Sequence, residues 1–250
     1  MRPRRSSLGV VLATSILLCS CTSGAGEGRV FVFAAASLTD AFAALGSAFE
    51  AAHPGIRVEL NLATSSSLRE QIVNGAPADV FASASTIDMD AVVAEGAVAA
   101  SPSTFARNHL QIAVPAGNPG GVTGLDDFAD PSLLIGLPAP EATSGRYAAE
   151  ALALAGVTPS VDSYEPDVRA LLSKIQAGEL DAGIVFVTDV AAGGDAVEGI
   201  AIPSAFQVEA EYPIAVLAAA PNPEMADAFV AFVLSPEGLQ ILAANGFLTP

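Results

Sequence analysis

Val30-Phe31-Val32-Phe33-Ala34-Ala35-Ala36-Ser37-Leu38-Thr39-Asp40 decides the fold, because it passes from a short apolar run to a helical pattern within a few residues. Val30–Ala34 reads as a strand, and Leu38–Ala52 as a helix that ends at His53-Pro54-Gly55, where proline and glycine break the pattern. The alternation then repeats. Ile56–Leu62 reads as strand, Ser66–Asn74 as a helix stopped by Gly75, Ala78–Ser83 as strand, and Asp88–Glu95 as a helix stopped by Gly96. Further strands are expected over Leu110–Val114, Leu133–Leu137, Ala182–Val187, Ile200–Ile202 and Pro213–Ala218. Further helices are expected over Ser144–Ala155, Val168–Ala177, Pro223–Leu234 and Pro236–Ala244. Short strands alternating with helices define an α/β fold with mainly parallel sheets.

Pro115–Pro131, rich in glycine, proline and aspartate, separates the first units from a second set of strands. The C-terminal helices need a sheet to cover, and the first units have room for them. The chain therefore reads as two lobes joined by two crossings, one near Phe105–Leu110 and one near Phe206–Pro213. Lobe 1 is expected over residues 29–107 plus 212–250, and lobe 2 over residues 108–211. Ligands of open α/β sheets sit outside the carboxyl ends of the strands, here in the cleft between the lobes.

Toward the N-terminus, Arg2, Arg4 and Arg5 precede a mostly apolar run, Leu8–Leu18, that is too short for a lasting membrane span. This is the pattern of a signal peptide. It ends in Leu18-Cys19-Ser20-Cys21, where Cys21 follows a small residue and has Leu18 three places before it, as lipoprotein processing requires. Residues 1–21 are thus expected to be a lipoprotein signal peptide ending at a lipidated Cys21, and residues 22–28 a flexible tether. The product would be extracytoplasmic and held at the membrane by its anchor without spanning it. Both cysteines lie in this segment, so the remaining domain offers no thiol for a disulfide or a metal.

Loss of Arg2, Arg4 and Arg5 leaves seven of the ten basic residues against 27 acidic ones, and takes the formal charge from −17 to −20. That balance argues against nucleic acid as a partner. It also means that an anionic ligand would have to be held by neutral donors.

Such donors are suggested by serines placed where a strand gives way to a helix. Ser37 follows the first strand, and Ser65-Ser66-Ser67 the second; Thr143-Ser144-Gly145 and Asp167-Val168 open two later helices. A helix N-terminus has unpaired backbone N–H groups and the positive end of the dipole, so it attracts anions without a formal charge. Any one of these serines alone would read as a plain helix cap. Ser67-Leu68-Arg69-Glu70 in particular matches a capping box. Four helix starts converging on one cleft would surround an oxyanion with donors from both sides.

Seven strings carry a resemblance to a known family. They are Val32-Phe33-Ala34-Ala35-Ala36-Ser37-Leu38, Ser65-Ser66-Ser67-Leu68, Gly75-Ala76-Pro77-Ala78-Asp79-Val80-Phe81, Gly145-Arg146-Tyr147-Ala148, Asp167-Val168-Arg169, Gly183-Ile184-Val185 and Glu211-Tyr212-Pro213-Ile214-Ala215-Val216. In this order, from Val30 to the end of the chain, they resemble the periplasmic molybdate-binding proteins of ABC importers. The resemblance implies a two-lobed periplasmic-binding-protein fold of the Venus-flytrap type. It also implies a monomer with no catalysis and no cofactor, which binds molybdate or tungstate between its lobes and meets a membrane permease. Carried over by motif, Ser37 and Ser65 donate from side chain and backbone, and Ser144 and Val168 donate backbone N–H. The family places a tyrosine hydroxyl in the strand matching Gly183–Thr188; this chain has Phe186 there, which removes one donor and leaves Thr188 or water to compensate.

A fully deprotonated oxyanion such as molybdate, tungstate or sulfate offers only acceptors, so a pocket of donors suits it. Phosphate keeps a proton near neutral pH and wants a carboxylate, for which Asp40 and Asp167 are the nearest sources. Sulfate, phosphate or a small organic acid stays open as the ligand. A serine hydrolase is the remaining reading, and no Gly-x-Ser-x-Gly elbow supports it. His53 and His109 lack metal-ligand spacing. Arg146 and Arg169 read as steering or acid-paired residues, and Asp189 as a helix cap or hinge contact.

Overall fold

A computed structural model describes residues 28–250; the signal peptide, Cys21 and the tether up to residue 27 lie outside the described residues. Gly28, expected to end the tether, instead opens β1 (Gly28–Ala35) and pairs with Ile56. From Val32 onward β1 is buried at every residue, as a strand covered on both faces must be. It passes through a 3-10 turn, Ala36–Leu38, into α1 (Thr39–Ala52). Next come β2 (Ile56–Ala63), α2 (Ser65–Val73), β3 (Val80–Ala82) and α3 (Thr86–Ala94). β4 (Ser103–Pro115) is far longer than the strand expected over Leu110–Val114. After it come β5 (Ile135–Pro138), α4 (Thr143–Ala155), β6 (Ser163–Glu165), α5 (Val168–Gln176), β7 (Ala182–Phe186) and α6 (Val187–Gly193). β8 (Val197–Ala201), β9 (Glu209–Val216), α7 (Pro223–Val233) and α8 (Pro236–Ala244) complete the chain.

The strands run in the order β2-β1-β3-β9-β4-β7-β5-β6, with β8 also paired to β4. β4 joins the two lobes. Its first part pairs with β9 as far as His109 opposite Glu209, and from Leu110 onward it pairs with β7 and β8. Lobe 1 is thus built on β1, β2, β3 and β9, and lobe 2 on β5, β6, β7 and β8. The chain returns through the segment between β8 and β9, where the Gln207 side chain bonds both N–H and C=O of Leu110 at 2.9 Å and ties the two crossings together.

The sheet is mixed, where mainly parallel pairing was expected. β1 with β2 and β3, and β5 with β6 and β7, are parallel, but every pair made by β4 or β9 is antiparallel. β4 and β9 pass between the lobes in opposite directions and so pair antiparallel with each other; β9 runs against its lobe 1 neighbour β3, and β4 against its lobe 2 neighbours β7 and β8. α7 and α8 cover lobe 1, with Phe229 of α7 edge-on to Phe42 and Phe49 of α1. These rings anchor a core in which Phe42, Phe49 and Phe229 have no exposure.

Candidate functional site

Six strand-to-helix junctions meet at one small cavity of about 20 Å³. Lobe 1 contributes Ala36-Ser37 after β1, Thr64-Ser65 at the start of α2, and Ala84 after β3; lobe 2 contributes Thr143-Ser144, Asp167-Val168 and Phe186. The enclosed space matches a group of a few atoms. The structure therefore brings together all five residues singled out in the sequence: Ser37, Ser65, Ser144, Val168 and Phe186. All five are buried.

Helix capping shows which donors remain free. The cap of α2 is Thr64, whose Oγ1 accepts the Ser67 N–H at 3.2 Å, so Ser67 is the third residue of the helix and the expected capping box from Ser67 is not formed. Ser65 and Ser66 then keep N–H groups that no intrahelical carbonyl can take. On α5, Asp167 Oδ1 accepts from Arg169 and Ala170, which leaves the Val168 N–H facing the cavity end of the helix. α4 has Ala142 at its N-cap and no side-chain cap at all, although the junction is buried. Alanine is a poor cap, and a buried helix start without one is satisfied by water or a ligand.

The serine hydroxyls have partners on the protein side. Ser65 Oγ accepts the Ala84 N–H at 2.9 Å, so its own proton is free to turn to the cavity. Ser37 Oγ lies 3.0 Å from Tyr212 Oη. Phe186, the position where a hydroxyl is missing, gives the cavity an apolar wall, and its backbone N–H is used by Asp189 Oδ2 at 3.1 Å. Thr188 is not on this wall. It lines a separate crevice of about 380 Å³ on the other side of Ser37, together with Asp40 and Arg169.

Among the described residues, no lysine, arginine or histidine lines the small cavity. His53 bonds Phe49 O and His109 faces Glu209, both remote in role from the serines. Both flanking arginines are paired with acids across the cleft. Asp88 of α3, fully buried, receives Arg69 of its own lobe at 3.0 Å on Oδ1, and Arg146 and Thr143 of lobe 2 on Oδ2. Arg169 of α5 pairs with Asp40 of α1 at 2.8 Å and contacts the buried Asp189 at 3.0 Å. Its Nε and Asp189 Oδ1 face each other without the alignment of a hydrogen bond.

Burial pushes the Asp189 carboxyl up to about 6, against the opposing pull of Arg169 and the Phe186 N–H. A folded value above the ordinary carboxylate range means that the folded protein binds this proton more tightly than the unfolded chain. The stability owed to Asp189 therefore rises as pH falls through about 6 and levels off near the unfolded value of about 4. Ionised at pH 7, the buried group costs on the order of 2–3 kcal/mol. Asp189→Asn, which cannot ionise, is expected to gain in unfolding midpoint relative to wild type as pH is raised from 4.5 to 7.5; a difference that stays constant with pH would refute the assignment.

A crevice walled by helix starts, on a sheet that two strands cross, defines a ligand-binding protein of the two-lobed class. The chain belongs to the bacterial extracellular solute-binding protein family, whose model matches residues 30–248. Among its relatives, the molybdate-binding protein of Mycobacterium tuberculosis is 35% identical over 97% of this chain and 96% of its own length. The periplasmic molybdate-binding protein of Azotobacter vinelandii has the same fold, with a TM-score of 0.79 at 21% identity over 88% of this chain and 99% of its own. The sulfate-binding protein of Mycobacterium tuberculosis gives the same TM-score, 0.79, at 20% identity over 88% of this chain and 86% of its own. The family resemblance read from the motifs is borne out by these matches, and so is the two-lobed fold.

Proposed function

We propose that this protein is an extracytoplasmic lipoprotein, anchored through Cys21, that binds molybdate or tungstate between its lobes and delivers it to the permease of an ABC importer, with no catalytic step. The observation that carries the reading is the cavity wall: free helix N-termini and serine hydroxyls from both lobes, with no cationic side chain among the described residues. Ser37 and Ser65 act as hydroxyl and amide donors, Ser144 and Val168 as amide donors, and Phe186 as an apolar wall. The moving bodies are residues 29–107 plus 212–250 and residues 108–211, flexing at the two crossings. The 35% identical relative bears the name of a molybdate-binding protein, which supports the choice of ligand.

Asp167 favours a second reading, because it is a carboxylate on the cavity wall and an acceptor for a protonated ligand such as hydrogenphosphate. Its Oδ1 is occupied by two amides of α5, which weighs against this. Titration calorimetry on the full chain carrying Cys21→Ser, with molybdate, tungstate, sulfate and phosphate in turn, separates the readings. Tight binding of molybdate and tungstate is expected, and binding of phosphate alone would overturn the proposal. Ser37→Ala and Ser65→Ala should each weaken binding by roughly 1.5–3 kcal/mol, the worth of a hydrogen bond to a charged group.

A further inference from the structure

Behind Ser37 lies a buried chain of polar groups that continues to the point where β4 crosses between the lobes. Tyr212 of β9 is fully buried, with its Oη 3.0 Å from Ser37 Oγ and 3.5 Å from Asn108 Nδ2. Asn108 of β4, 1% exposed, is held in one orientation by its neighbour. The His109 N–H can only donate, and it reaches Asn108 Oδ1 at 2.9 Å. The amide nitrogen of Asn108 must then face the other way, toward Thr188 Oγ1 at 2.8 Å and Tyr212 Oη.

This orientation gives the chain a direction. An amide nitrogen only donates, so Tyr212 Oη accepts from Asn108 and sends its own proton to its remaining partner, Ser37. Ser37 Oγ is thereby an acceptor on the protein side, and its proton is turned away from Tyr212 and left free for a ligand in the cavity that Ser37 lines. Each bond in such a series polarises the next. The ring of Tyr212 is fixed edge-on by Phe105, Phe186 and Phe247, with centroids 6.2, 6.1 and 5.3 Å away. Phe186 thus supports the phenol that serves the site, although it brings no hydroxyl of its own.

We propose that Asn108 and Tyr212 are positioning residues that hold the Ser37 hydroxyl as a donor toward the ligand, and so set the preference of the site for a fully deprotonated oxyanion over a protonated one. The inference rests on the reading of the cavity as an oxyanion site. It places selectivity in a pair of residues that do not line the cavity. Burial pushes the Tyr212 phenol well above its ordinary value, which keeps it protonated as the chain requires.

The test is a double-mutant cycle read by calorimetry on the full chain carrying Cys21→Ser, with molybdate and phosphate as probes. Tyr212→Phe should weaken molybdate binding about 5- to 20-fold when Ser37 is present and less than about twofold in the Ser37→Ala background. Phosphate binding should stay level or tighten, because a released Ser37 hydroxyl can accept from a protonated ligand. Equal losses in both backgrounds, or parallel losses for both anions, would overturn the proposal. Should Tyr212→Phe fail to show a cooperative thermal transition, Asn108→Asp serves in its place. An acceptor at 108 reverses the series, whereas simple charge repulsion would persist without the Ser37 hydroxyl and appear as additivity. If the unsubstituted protein binds no oxyanion, the functional reading fails and this inference with it; if it binds one and the cycle is additive, this inference fails alone.

Discussion

An Asp88→Ala protein is expected to bind its oxyanion at least about 100-fold more weakly than the unsubstituted protein. Asp88 has no exposure, and its two oxygens serve different lobes: Oδ1 takes Arg69 of α2, and Oδ2 takes Arg146 and Thr143 of α4. The second set exists only while the lobes are together, so its loss falls on the closed form, which alone encloses the ligand. Removing one member of a buried ion pair costs about 3–5 kcal/mol, because the groups left behind lose their partner. Here the arginines keep about a third of their surface in water, with side-chain exposures of 28% and 33%, and the lower end applies. About 3 kcal/mol corresponds to somewhat more than two decades in affinity.

The two halves of the cluster can be read apart. Asp88→Ala should also lower the thermal midpoint of the ligand-free protein, since Arg69 loses its partner within lobe 1. Arg146→Ala should reproduce much of the affinity loss and leave that midpoint nearly unchanged. Faster ligand release should account for most of the change, as expected when closed-state contacts are removed. Unaltered affinity in Asp88→Ala would mean that the cluster is structural and takes no part in closure.

Neither the Asp88 cluster nor the Tyr212 chain was legible in the sequence, and the cause is the same. Arg146 lies 58 residues from Asp88, and Tyr212 lies 175 from Ser37, so only the folded crossing of β4 and β9 brings them together. What local pattern does report is where strands stop and helices start. For that reason four of the six junctions at the cavity were visible as serines, threonine and aspartate at such points, and the fold brings Ser37, Ser65, Ser144 and Val168 to one cavity from both lobes. The same local rules missed β6, whose three residues Ser163–Glu165 carry no apolar run, and α6, which begins at Val187 immediately after the last residue of β7. They shortened β4, because Arg107, Asn108 and His109 interrupt its apolar pattern where the strand bridges the lobes. Strand direction was misjudged as mainly parallel, since periodicity reports spacing and is blind to polarity. The cap of α2 was assigned to Ser67 instead of Thr64: hydroxyl residues at 64, 65, 66 and 67 all qualify by type, and only the backbone conformation of Thr64 selects it.

Gly145→Ala is the most damaging small substitution expected at the site itself. Gly145 is the third residue of α4, and a methyl group added to it would lie 2.0 Å from Ala139 O and 2.8 Å from Pro138 O. Both are backbone atoms at the end of β5, so no side chain can swing aside to make room. Relief requires the first turn of α4 to withdraw from the strand, and that turn carries the Ser144 amide, the Thr143 hydroxyl and, one residue on, Arg146. Overpacking of this kind costs about 1–3 kcal/mol or more in stability, and here the displaced atoms are those that face the ligand. Affinity should fall by at least about two decades, with the loss of the cavity wall and of the Asp88 contacts acting together. Ser144→Ala provides the contrast, because it keeps the amide and the helix position and removes only the hydroxyl; it should stay within about threefold of wild type if the backbone N–H is the donor. Calorimetry on both variants, with circular dichroism to check that α4 remains helical, separates the outcomes. Near-native affinity in Gly145→Ala would show that the start of α4 does not touch the ligand, and the lobe 2 half of the site would have to be sought on α5 alone.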